Sequence, residues 1–318
     1  MTAGPLMTAG LVTLGETMGL VGADGIGTLE YAGSFHFGIG GAESNVAIGV
    51  SRLGGSATWL GRIGPDAAGD LIERRLRAEG VHTVAIRDPA FTGLMVKYHR
   101  TGGLLHVDYH RAGSAGSRLT PADVPVALLE SARILHVTGI TPALSDTARA
   151  AVFHAVETAR AAQVTVSVDV NYRGKLWSRF DAAPVLRDLV SRADVVFAGP
   201  DEAALVLGTS EAVADGLAAL GPAEVVIKDG PRGCTGLIAG ERYSVKALDV
   251  TVVDPVGAGD AFVAGYLADR LAGAAPAERL ATAVAVGAFA VTVPGDCEGL
   301  PSRAELAALL SATDDVAR

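Results

Sequence analysis

The sequence predicts an α/β fold with a mostly parallel central sheet, helices on both of its faces, and a separate small β-sheet. Two observations predict this fold. From residue 134 onward, short apolar runs alternate with longer Ala-rich stretches, which is typical of a parallel sheet covered by helices. Between residues 92 and 117 the pattern changes to that of a β-hairpin. The 318 residues are enough to bury a sizeable core.

The N-terminal part is predicted to begin with disorder over residues 1–10. A buried strand at Leu11–Glu16 and a polar, Gly-rich stretch to Gly40 are expected to follow. Apolar residues at helical spacing predict a helix at Ser44–Leu53. The next elements are predicted to be a strand, a helix and a hairpin with its turn at residues 101–103: Thr58–Ile63, Asp70–Ala78, Met95–Arg100 and Leu104–Tyr109.

The remaining strands are predicted at the short apolar runs of the βαβα region. Ligands of such sheets bind at the carboxyl ends of the strands. Asp169, Lys228 and Asp254 come at or just after predicted strand ends, so they are expected near one site. The predicted strands are Ile134–Val137, Thr165–Val170, Val195–Ala198, Val225–Lys228 and Thr251–Val253.

The turn from Asp254 to Asp260 is the most informative stretch of the chain. It lies between an apolar run and a helical pattern, so it is predicted to connect a strand to a helix. Backbone N–H groups of Gly257, Ala258 and Gly259 would then form an anion site at the positive end of the helix dipole. A carboxylate at Asp260 suits removal of a proton from a hydroxyl that attacks a phosphoryl group. The alternative is an Asp that only caps the helix.

The motif Asp254–Phe262 resembles the C-terminal signature of the ribokinase-like (PfkB) carbohydrate kinases. A second, upstream stretch, Gly40–Ala47 followed by Leu60–Gly69, resembles the N-terminal signature of the same family. The resemblance covers essentially the whole chain. It implies a single ribokinase-like kinase domain over residues 1–318, with a β-lid formed by about residues 20–38 and 92–117.

Within the family, three stretches resemble 2-keto-3-deoxygluconate kinases: Tyr109–Ser117, Val137–Leu144 and Asp169–Trp177. This resemblance implies ATP-dependent phosphorylation of a small sugar or sugar acid, with Asp260 as the base. Two departures bear on the substrate and the nucleotide. Met95 stands where those kinases commonly carry a tyrosine, and Val284 stands where many relatives place an asparagine near adenine.

The family pattern also implies the substrate-binding residues. Tyr109 and Arg111 alternate on the predicted hairpin, share a face, and match a tyrosine and an arginine that hold the sugar acid. Arg173 is implied near the phosphate or a substrate carboxylate. Simpler explanations remain open at this stage: a turn, a capping amide, a sheet-stabilising pair or a surface salt bridge. The implied substrate-binding residues are Gly40, Gly41, Asn45, Tyr109, Arg111, Arg173 and Asp260.

ATP and Mg²⁺ are the cofactors that the resemblance implies, and a monovalent cation is compatible with it. Glu202 matches the glutamate of an Asn-x-x-Glu motif that organises Mg²⁺ through water, although Gly199 replaces the asparagine. The Lys228–Gly233 segment resembles the nucleotide-binding loop of the family. The alternative is that it forms only a tight turn after a strand. The implied nucleotide-binding residues are Lys228, Gly230, Gly233, Gly257 and Gly259.

Composition limits the partners. The formal net charge is −9 and no basic block occurs, so we expect neither a nucleic-acid nor a membrane partner. The two cysteines lack a CxxC spacing and no signal peptide is visible, which favours a cytoplasmic protein. Exposed edges of the small sheet are compatible with a homodimer or higher homo-oligomer through the lid.

Three alternatives to a 2-keto-3-deoxygluconate kinase remain open from the sequence. A fructokinase or another hexose or pentose kinase would share both signatures but would not need Arg111 to bind a carboxylate. A non-catalytic ligand-binding regulator would keep the fold, although the intact Asp260 and glycine loop disfavour it. A dinucleotide-dependent oxidoreductase is disfavoured because no G-x-G-x-x-G opens the first βα unit.

Overall fold

The computed structural model describes residues 10–101 and 104–316. Most strands belong to one nine-stranded sheet with the order β13-β12-β11-β10-β9-β8-β1-β4-β5. Every pairing from β11 to β5 is parallel, and β12 and β13 are antiparallel additions at one edge. These strands are β1 (Leu11–Leu14), β4 (Ala57–Ile63), β5 (His82–Arg87), β8 (Ile134–Thr138), β9 (Thr165–Asp169), β10 (Val195–Ala198), β11 (Glu224–Lys228), β12 (Cys234–Ile238) and β13 (Glu241–Val245).

Helices cover both faces of this sheet, and each face has its own hydrophobic core. One core contains the aromatic side chains of Trp59, Phe197 and Tyr266, whereas the other consists mainly of Val, Leu and Ala side chains. The mostly parallel, two-faced α/β fold predicted from the sequence is therefore confirmed. The helices are α1 (Ala42–Arg52), α2 (Ala67–Ala78), α3 (Val126–Glu130), α4 (Asp146–Ala161), α5 (Arg179–Ser191), α6 (Pro200–Leu207), α7 (Val213–Ala218), α8 (Ala258–Ala272), α9 (Pro276–Ala290) and α10 (Arg303–Val316).

A second, four-stranded sheet has the order β3-β2-β6-β7. Its outer face exposes Phe35 and Phe37, which alternate along the edge strand. Assembly of two chains through this sheet stays a prediction, which the sedimentation coefficient of the purified chain would test. The strands are β2 (Met18–Ile26), β3 (Phe35–Gly40), β6 (Leu94–Thr101) and β7 (Leu104–His110).

One predicted strand is wrong. Residues Thr251–Val253 form no strand: the backbone N–H groups of Val253 and Asp254 donate instead to the carbonyl of Val291. The sheet edge beyond β11 is already occupied by the β12–β13 hairpin, which the sequence analysis missed. Its two-residue turn is Ala239–Gly240, with positive φ at both residues and none of the usual Asn-Gly signal.

The other differences between the predicted and observed elements are small. The polar, Gly-rich stretch before Gly40 contains β2 and β3, which lie in the segment predicted for the lid. Residues 1–9 of the predicted disordered start and the glycines of the hairpin turn at 102–103 lie outside the described residues. Gly10, the last residue of that predicted start, is buried, and its N–H donates to Ser56 Oγ at 2.9 Å. Within residues 10–101 and 104–316, no helix is long and apolar enough to cross a membrane.

A buried ion pair fastens the small sheet to the large one. Lys97 on β6 pairs with Asp254, which precedes α8, and its ammonium group also donates to the carbonyl oxygen of Gly295 at 2.8 Å. Asp254 in turn accepts hydrogen bonds from the backbone N–H groups of Val256 and Gly295, both at 3.1 Å. A single carboxylate thus holds the loop before α8, the turn at Gly295 and one strand of the small sheet.

We expect Lys97→Met to destabilise the fold by about 3–5 kcal/mol, because the buried Asp254 carboxylate would lose its cation. Urea unfolding followed by circular dichroism measures this free energy. Lys246→Met is the matched control, since Lys246 is exposed and its replacement should change stability by less than about 0.5 kcal/mol. Equal midpoints for the two variants would contradict a structural role for the Lys97–Asp254 pair.

Candidate active site

A cavity of about 940 Å³ lies between the small sheet and the carboxyl ends of the large sheet. Its position follows from the topology, because the carboxyl ends of parallel strands meet at one edge. The small sheet contributes one wall, and the loop after β9 and the start of α8 contribute the opposite wall. Seven of the residues singled out by sequence line it: Gly41, Asn45, Tyr109, Arg111, Arg173, Gly257 and Asp260.

Asp260 is buried, with 8% of its surface exposed. Asn45 Nδ2 donates to Asp260 Oδ2 at 2.9 Å, and Asn171 Nδ2 lies 3.5 Å from Oδ1. Burial raises the pKa of Asp260, while the Asn45 hydrogen bond and the charges of Arg173 and Lys228 lower it. The net raised pKa suits a group that must take up a proton near neutral pH.

The start of α8 provides an anion site. The N–H groups of Gly257, Gly259 and Asp260 have no hydrogen-bond partner among the described residues, and they stand at the positive end of a 15-residue helix. Gly257 has φ +76°, and a Cβ atom there would lie 2.2 Å from the carbonyl oxygen of Asp296. Glycine is therefore required at this position. Ala258 is the first residue of the helix.

Apart from Gly257, the predicted nucleotide-binding residues lie outside the cavity lining. Lys228, at the end of β11, binds both oxygens of Asp169 at 2.7 and 2.8 Å, and its ammonium would lie 3.6 Å from a Cβ on Gly259. Burial raises the pKa of Asp169 to about 6, although Lys228 opposes this shift. Gly230 and Gly233 both have positive φ in the turn that follows β11.

Glu202 lies in the first turn of α6. Its two oxygens accept hydrogen bonds from the backbone N–H groups of Tyr172 and Gly199 at 2.9 and 2.7 Å. The bond to Gly199 needs no side chain there, so the glycine that replaces asparagine still supports the carboxylate. Each oxygen keeps a free lone pair, which fits a water-mediated contact with Mg²⁺. Among the described residues, no three His, Cys, Asp or Glu side chains form a direct metal site.

The two predicted substrate-binding arginines differ in their surroundings. Arg111 Nε donates to Glu16 Oε2 at 2.7 Å, and Glu16 is almost fully buried, so the charge of Arg111 is balanced within the protein. Arg173 is exposed, and its guanidinium group makes no hydrogen bond or ion pair with a described residue. Its position after β9 places an unpaired positive charge on the cavity wall.

Besides the exposed Asp108, three acidic residues that line the cavity were missed by the sequence analysis. Glu16 follows β1 and pairs with Arg111. Glu43 accepts hydrogen bonds from Thr138 and Thr141, and burial raises its pKa to about 7. Asp296 accepts a hydrogen bond from Asn45 at 3.2 Å. Asp296 follows a Pro-Gly pair that is far from both signatures, so no local pattern in the sequence marks it as a site residue.

The position of Asp296 explains why residue 40 is a glycine. A Cβ atom at Gly40 would lie 2.0 Å from Asp296 Oδ2 and 2.1 Å from the methyl group of Met95. Met95 therefore fills space on the cavity wall, where a tyrosine was expected from the resemblance. Gly41 is equally constrained, since its Cβ would lie 2.5 Å from the carbonyl oxygen of Glu16.

A buried carboxylate beside an unpaired helix N-terminus can accept a proton while the helix stabilises negative charge that develops on a phosphoryl group. Such a site in a cavity of sugar size defines a phosphotransferase that acts on the hydroxyl of a small molecule. The chain belongs to the pfkB family of carbohydrate kinases, whose model matches residues 8–303, and it is an ATP-dependent carbohydrate kinase.

Several proteins of known function are similar to this chain over most of their length. The 2-dehydro-3-deoxygluconokinase of Bacillus subtilis is 37% identical over 314 residues, which cover 95% of both chains. The fructokinase of Klebsiella pneumoniae is 34% identical, over 84% of this chain and 90% of that protein. The crystal structure of a fructokinase with bound ATP from Xylella fastidiosa matches with a TM-score of 0.85 at 26% identity, covering 96% of this chain and 99% of that one. This match confirms the predicted ribokinase-like fold.

We expect Gly257→Ala to abolish most kinase activity and to lower stability by more than the ~1–2 kcal/mol of a left-handed alanine. The added Cβ must displace the Asp296 backbone or unwind the first turn of α8. Gly273→Ala is a close control: Gly273 has φ +79° at the other end of the same helix, with open space around it. Activity assays and urea unfolding of both variants measure the difference, and equal losses would contradict the steric argument.

Proposed function

We propose that this kinase transfers the γ-phosphoryl group of ATP to a primary hydroxyl of 2-keto-3-deoxygluconate, giving 2-keto-3-deoxy-6-phosphogluconate. The observation that carries the proposal is the unpaired Arg173 guanidinium in the cavity that also contains Asp260 and Arg111. A sugar acid would bring a carboxylate to this cationic wall. The similarity to the 2-dehydro-3-deoxygluconokinase of B. subtilis supports the same substrate.

In the proposed reaction, Asp260 takes the proton from the substrate hydroxyl as its oxygen attacks phosphorus. The Asn45 amide holds the Asp260 carboxylate in place through the hydrogen bond at 2.9 Å. The N–H groups of Gly257, Gly259 and Asp260 stabilise the negative charge on the transferred group. The small sheet, acting as a lid, would exclude water and so protect ATP from hydrolysis.

The proposed nucleotide site uses residues beyond the cavity. Lys228 lies next to the start of α8, where polyphosphate would reach the helix N-terminus, and the turn with Gly230 and Gly233 follows Lys228 in the chain. Glu202 would hold Mg²⁺ through water, and the ion supplies charge neutralisation when bound. The requirement for a monovalent cation stays a prediction, which activity in K⁺-free buffer would test.

A fructokinase is the second candidate, and one observation favours it. Glu16 already neutralises Arg111, so this arginine does not need a substrate carboxylate to balance its charge. Under this alternative, Arg111 and Glu16 would stabilise the wall of the cavity, and only Arg173 would face the substrate. The similarity to the K. pneumoniae fructokinase supports this candidate as well.

Asp260→Asn is expected to lower kcat by at least ~10²-fold, because the variant cannot accept the hydroxyl proton. ATP binding should change little, since the helix N-terminus and its glycines remain. A coupled assay of ADP release and calorimetric titration with ATP measure the two quantities. Near-normal kcat would remove Asp260 from the proposed mechanism.

Arg173→Gln is expected to lower kcat/KM for 2-keto-3-deoxygluconate by about 10- to 100-fold, the value of one charge-assisted pair. Arg173 also lowers the pKa of Asp260, so part of the loss would affect every substrate. Measuring fructose in parallel corrects for this part, because fructose has no carboxylate.

Arg111→Gln and Arg179→Gln complete this experiment. If the sugar acid is the substrate, Arg111→Gln should also lower kcat/KM more for the sugar acid than for fructose. Arg179 lies over the Tyr172 ring outside the cavity, so Arg179→Gln should affect both substrates equally and weakly. Equal losses for fructose and the sugar acid in the Arg111 and Arg173 variants would favour the fructokinase alternative.

Glu202→Gln is expected to raise the Mg²⁺ concentration for half-maximal rate severalfold, because a neutral amide attracts a hydrated cation less strongly than a carboxylate. Its Oε1 atom can still accept one of the two backbone hydrogen bonds, so the start of α6 should survive. A Mg²⁺ titration of the initial rate measures the change. An unchanged titration curve would leave Glu202 as a helix cap only.

A further inference from the structure

One exposed side chain crosses the rim of the cavity. Lys175 lies in the β9–α5 loop, residues 170–178, and lines the cavity next to Arg173. Its ammonium group donates to the carbonyl oxygen of Val107 on β7 at 3.1 Å and lies 5.7 Å from the centre of the Tyr109 ring. Val107 and Tyr109 belong to the wall that the small sheet contributes. A single side chain at the edge of the large sheet thus contacts two positions of the small sheet.

The β9–α5 loop that carries Lys175 is anchored to the large sheet. The N–H of Tyr172 donates to Glu202 Oε1 at 2.9 Å, and the Tyr172 hydroxyl donates to the carbonyl oxygen of Trp177 at 3.1 Å. Asn171 has φ +38°, a left-handed conformation that a non-glycine residue keeps only where its surroundings enforce it. The loop is therefore a fixed base from which Lys175 reaches the small sheet.

Two other ties between the small and large sheets are of a different kind. Lys97 and Arg111 pair with the buried carboxylates of Asp254 and Glu16. Breaking either pair would leave a buried charge without its partner, so both are expected to persist while the small sheet moves. Lys175 is exposed and binds a neutral carbonyl and an aromatic ring, and water can replace both contacts at small cost. The Lys175 contact is therefore suited to open and close.

The place of this contact in the small sheet supports the same distinction. The strand order is β3-β2-β6-β7, so β7 is an edge strand. Val107 on β7 is the register partner of Lys97 on β6. One lysine thus fastens β6 to the buried Asp254, while another contacts the neighbouring position on the edge strand from outside. The edge strand is the part of the small sheet that borders the rim of the cavity.

We propose that Lys175 is a positioning residue that latches β7 over the cavity. When the latch is closed, as in this structure, it holds Tyr109 and joins β7 to the β9–α5 loop. When it is open, substrate can enter and product can leave. This inference rests on the proposed role of the small sheet as a lid, and it does not depend on which sugar is the substrate. Lys175 need not touch the reacting atoms to act in this way.

Lys175→Met tests the latch, because it nearly keeps the length of the side chain and removes its charge and its donor. Spin labels introduced by Leu104→Cys on β7 and Phe180→Cys on α5 report the distance between the two sheets in the substrate-free protein. Both positions are exposed, whereas Cys234 and Cys297 are buried and should stay unlabelled. We expect the ratio of closed to open chains to fall about 5- to 10-fold, the value of one exposed hydrogen bond with a cation–π contact. An unchanged distance distribution overturns the proposal.

Lys175→Arg and Lys246→Met are the controls for this measurement. Arginine keeps a cationic donor for the same carbonyl and ring, so Lys175→Arg should retain most of the closed population. Lys246 is exposed in the segment after β13, and its replacement by Met should leave the distances unchanged. A loss in Lys175→Arg as large as that in Lys175→Met, or an equal loss in Lys246→Met, would contradict the latch.

Steady-state kinetics tests whether the latch acts on the reaction. A smaller closed population lowers the apparent affinity for the sugar, so in Lys175→Met the KM for the sugar should rise by up to about 10-fold. The kcat should stay within about 2-fold, because saturating sugar restores the closed state. The rise should be the same for every sugar that the enzyme phosphorylates, since the latch does not read a carboxylate. A rise for 2-keto-3-deoxygluconate alone, with unchanged distances, would mean that Lys175 binds the carboxylate directly, which overturns the latch.

The outcomes are separable from those of the proposed function. The distance measurement uses no substrate, so its result does not depend on the identity of the base or of the sugar. Near-normal activity of Asp260→Asn would remove the proposed base and leave the latch in place. Shifted distances in Lys175→Met with unchanged KM and kcat would mean that the contact holds the small sheet without acting on the reaction, and this result would overturn the positioning role.

Discussion

The carboxyl edge of the large sheet concentrates buried carboxylates, and each of them needs a partner that makes burial tolerable. An unpaired buried charge costs several kcal/mol, so the positions of the partners constrain the whole region. Asp254 has Lys97, Asp169 has Lys228 and Glu16 has Arg111. Asp260 differs, because its close partners are the neutral amides of Asn45 and Asn171. Asp260 thus lacks a direct cation, and under the proposed function its pKa must suit proton uptake.

These pairs also connect distant parts of the chain. Lys97 and Arg111 come from the small sheet, whereas Asp254 and Glu16 belong to the edge of the large sheet. Two ion pairs next to the cavity therefore help to attach the small sheet, whose own buried cluster contains Met18, Leu20 and Met95. Under the proposed function, these ion pairs lie where a lid would respond to substrate.

Substrate choice depends on the same charge balance. Arg111 and Arg173 both line the cavity, but only Arg173 lacks a partner among residues 10–101 and 104–316. A sugar acid would add a carboxylate near two guanidinium groups, while a neutral sugar would leave Arg173 solvated. The loop and the helix dipole at α8 thus define the reaction class, and under the proposed function the charges of Arg111 and Arg173 decide the substrate.

The sequence by itself determined the alternation of strands and helices, the glycine loop before α8 and the position of Asp260 at the start of that helix. These features depend on local periodicity and backbone requirements. It did not predict the β12–β13 hairpin, whose turn lacks the usual residues, and it placed a strand at Thr251–Val253 where the sheet edge is already occupied. Only the tertiary structure brought Asp296 to Asn45, across 251 positions of the chain, and paired Arg111 with Glu16. Contacts of this kind are decided by how the loops meet at the edge of the sheet, since no local pattern in the sequence encodes the partner of a buried charge.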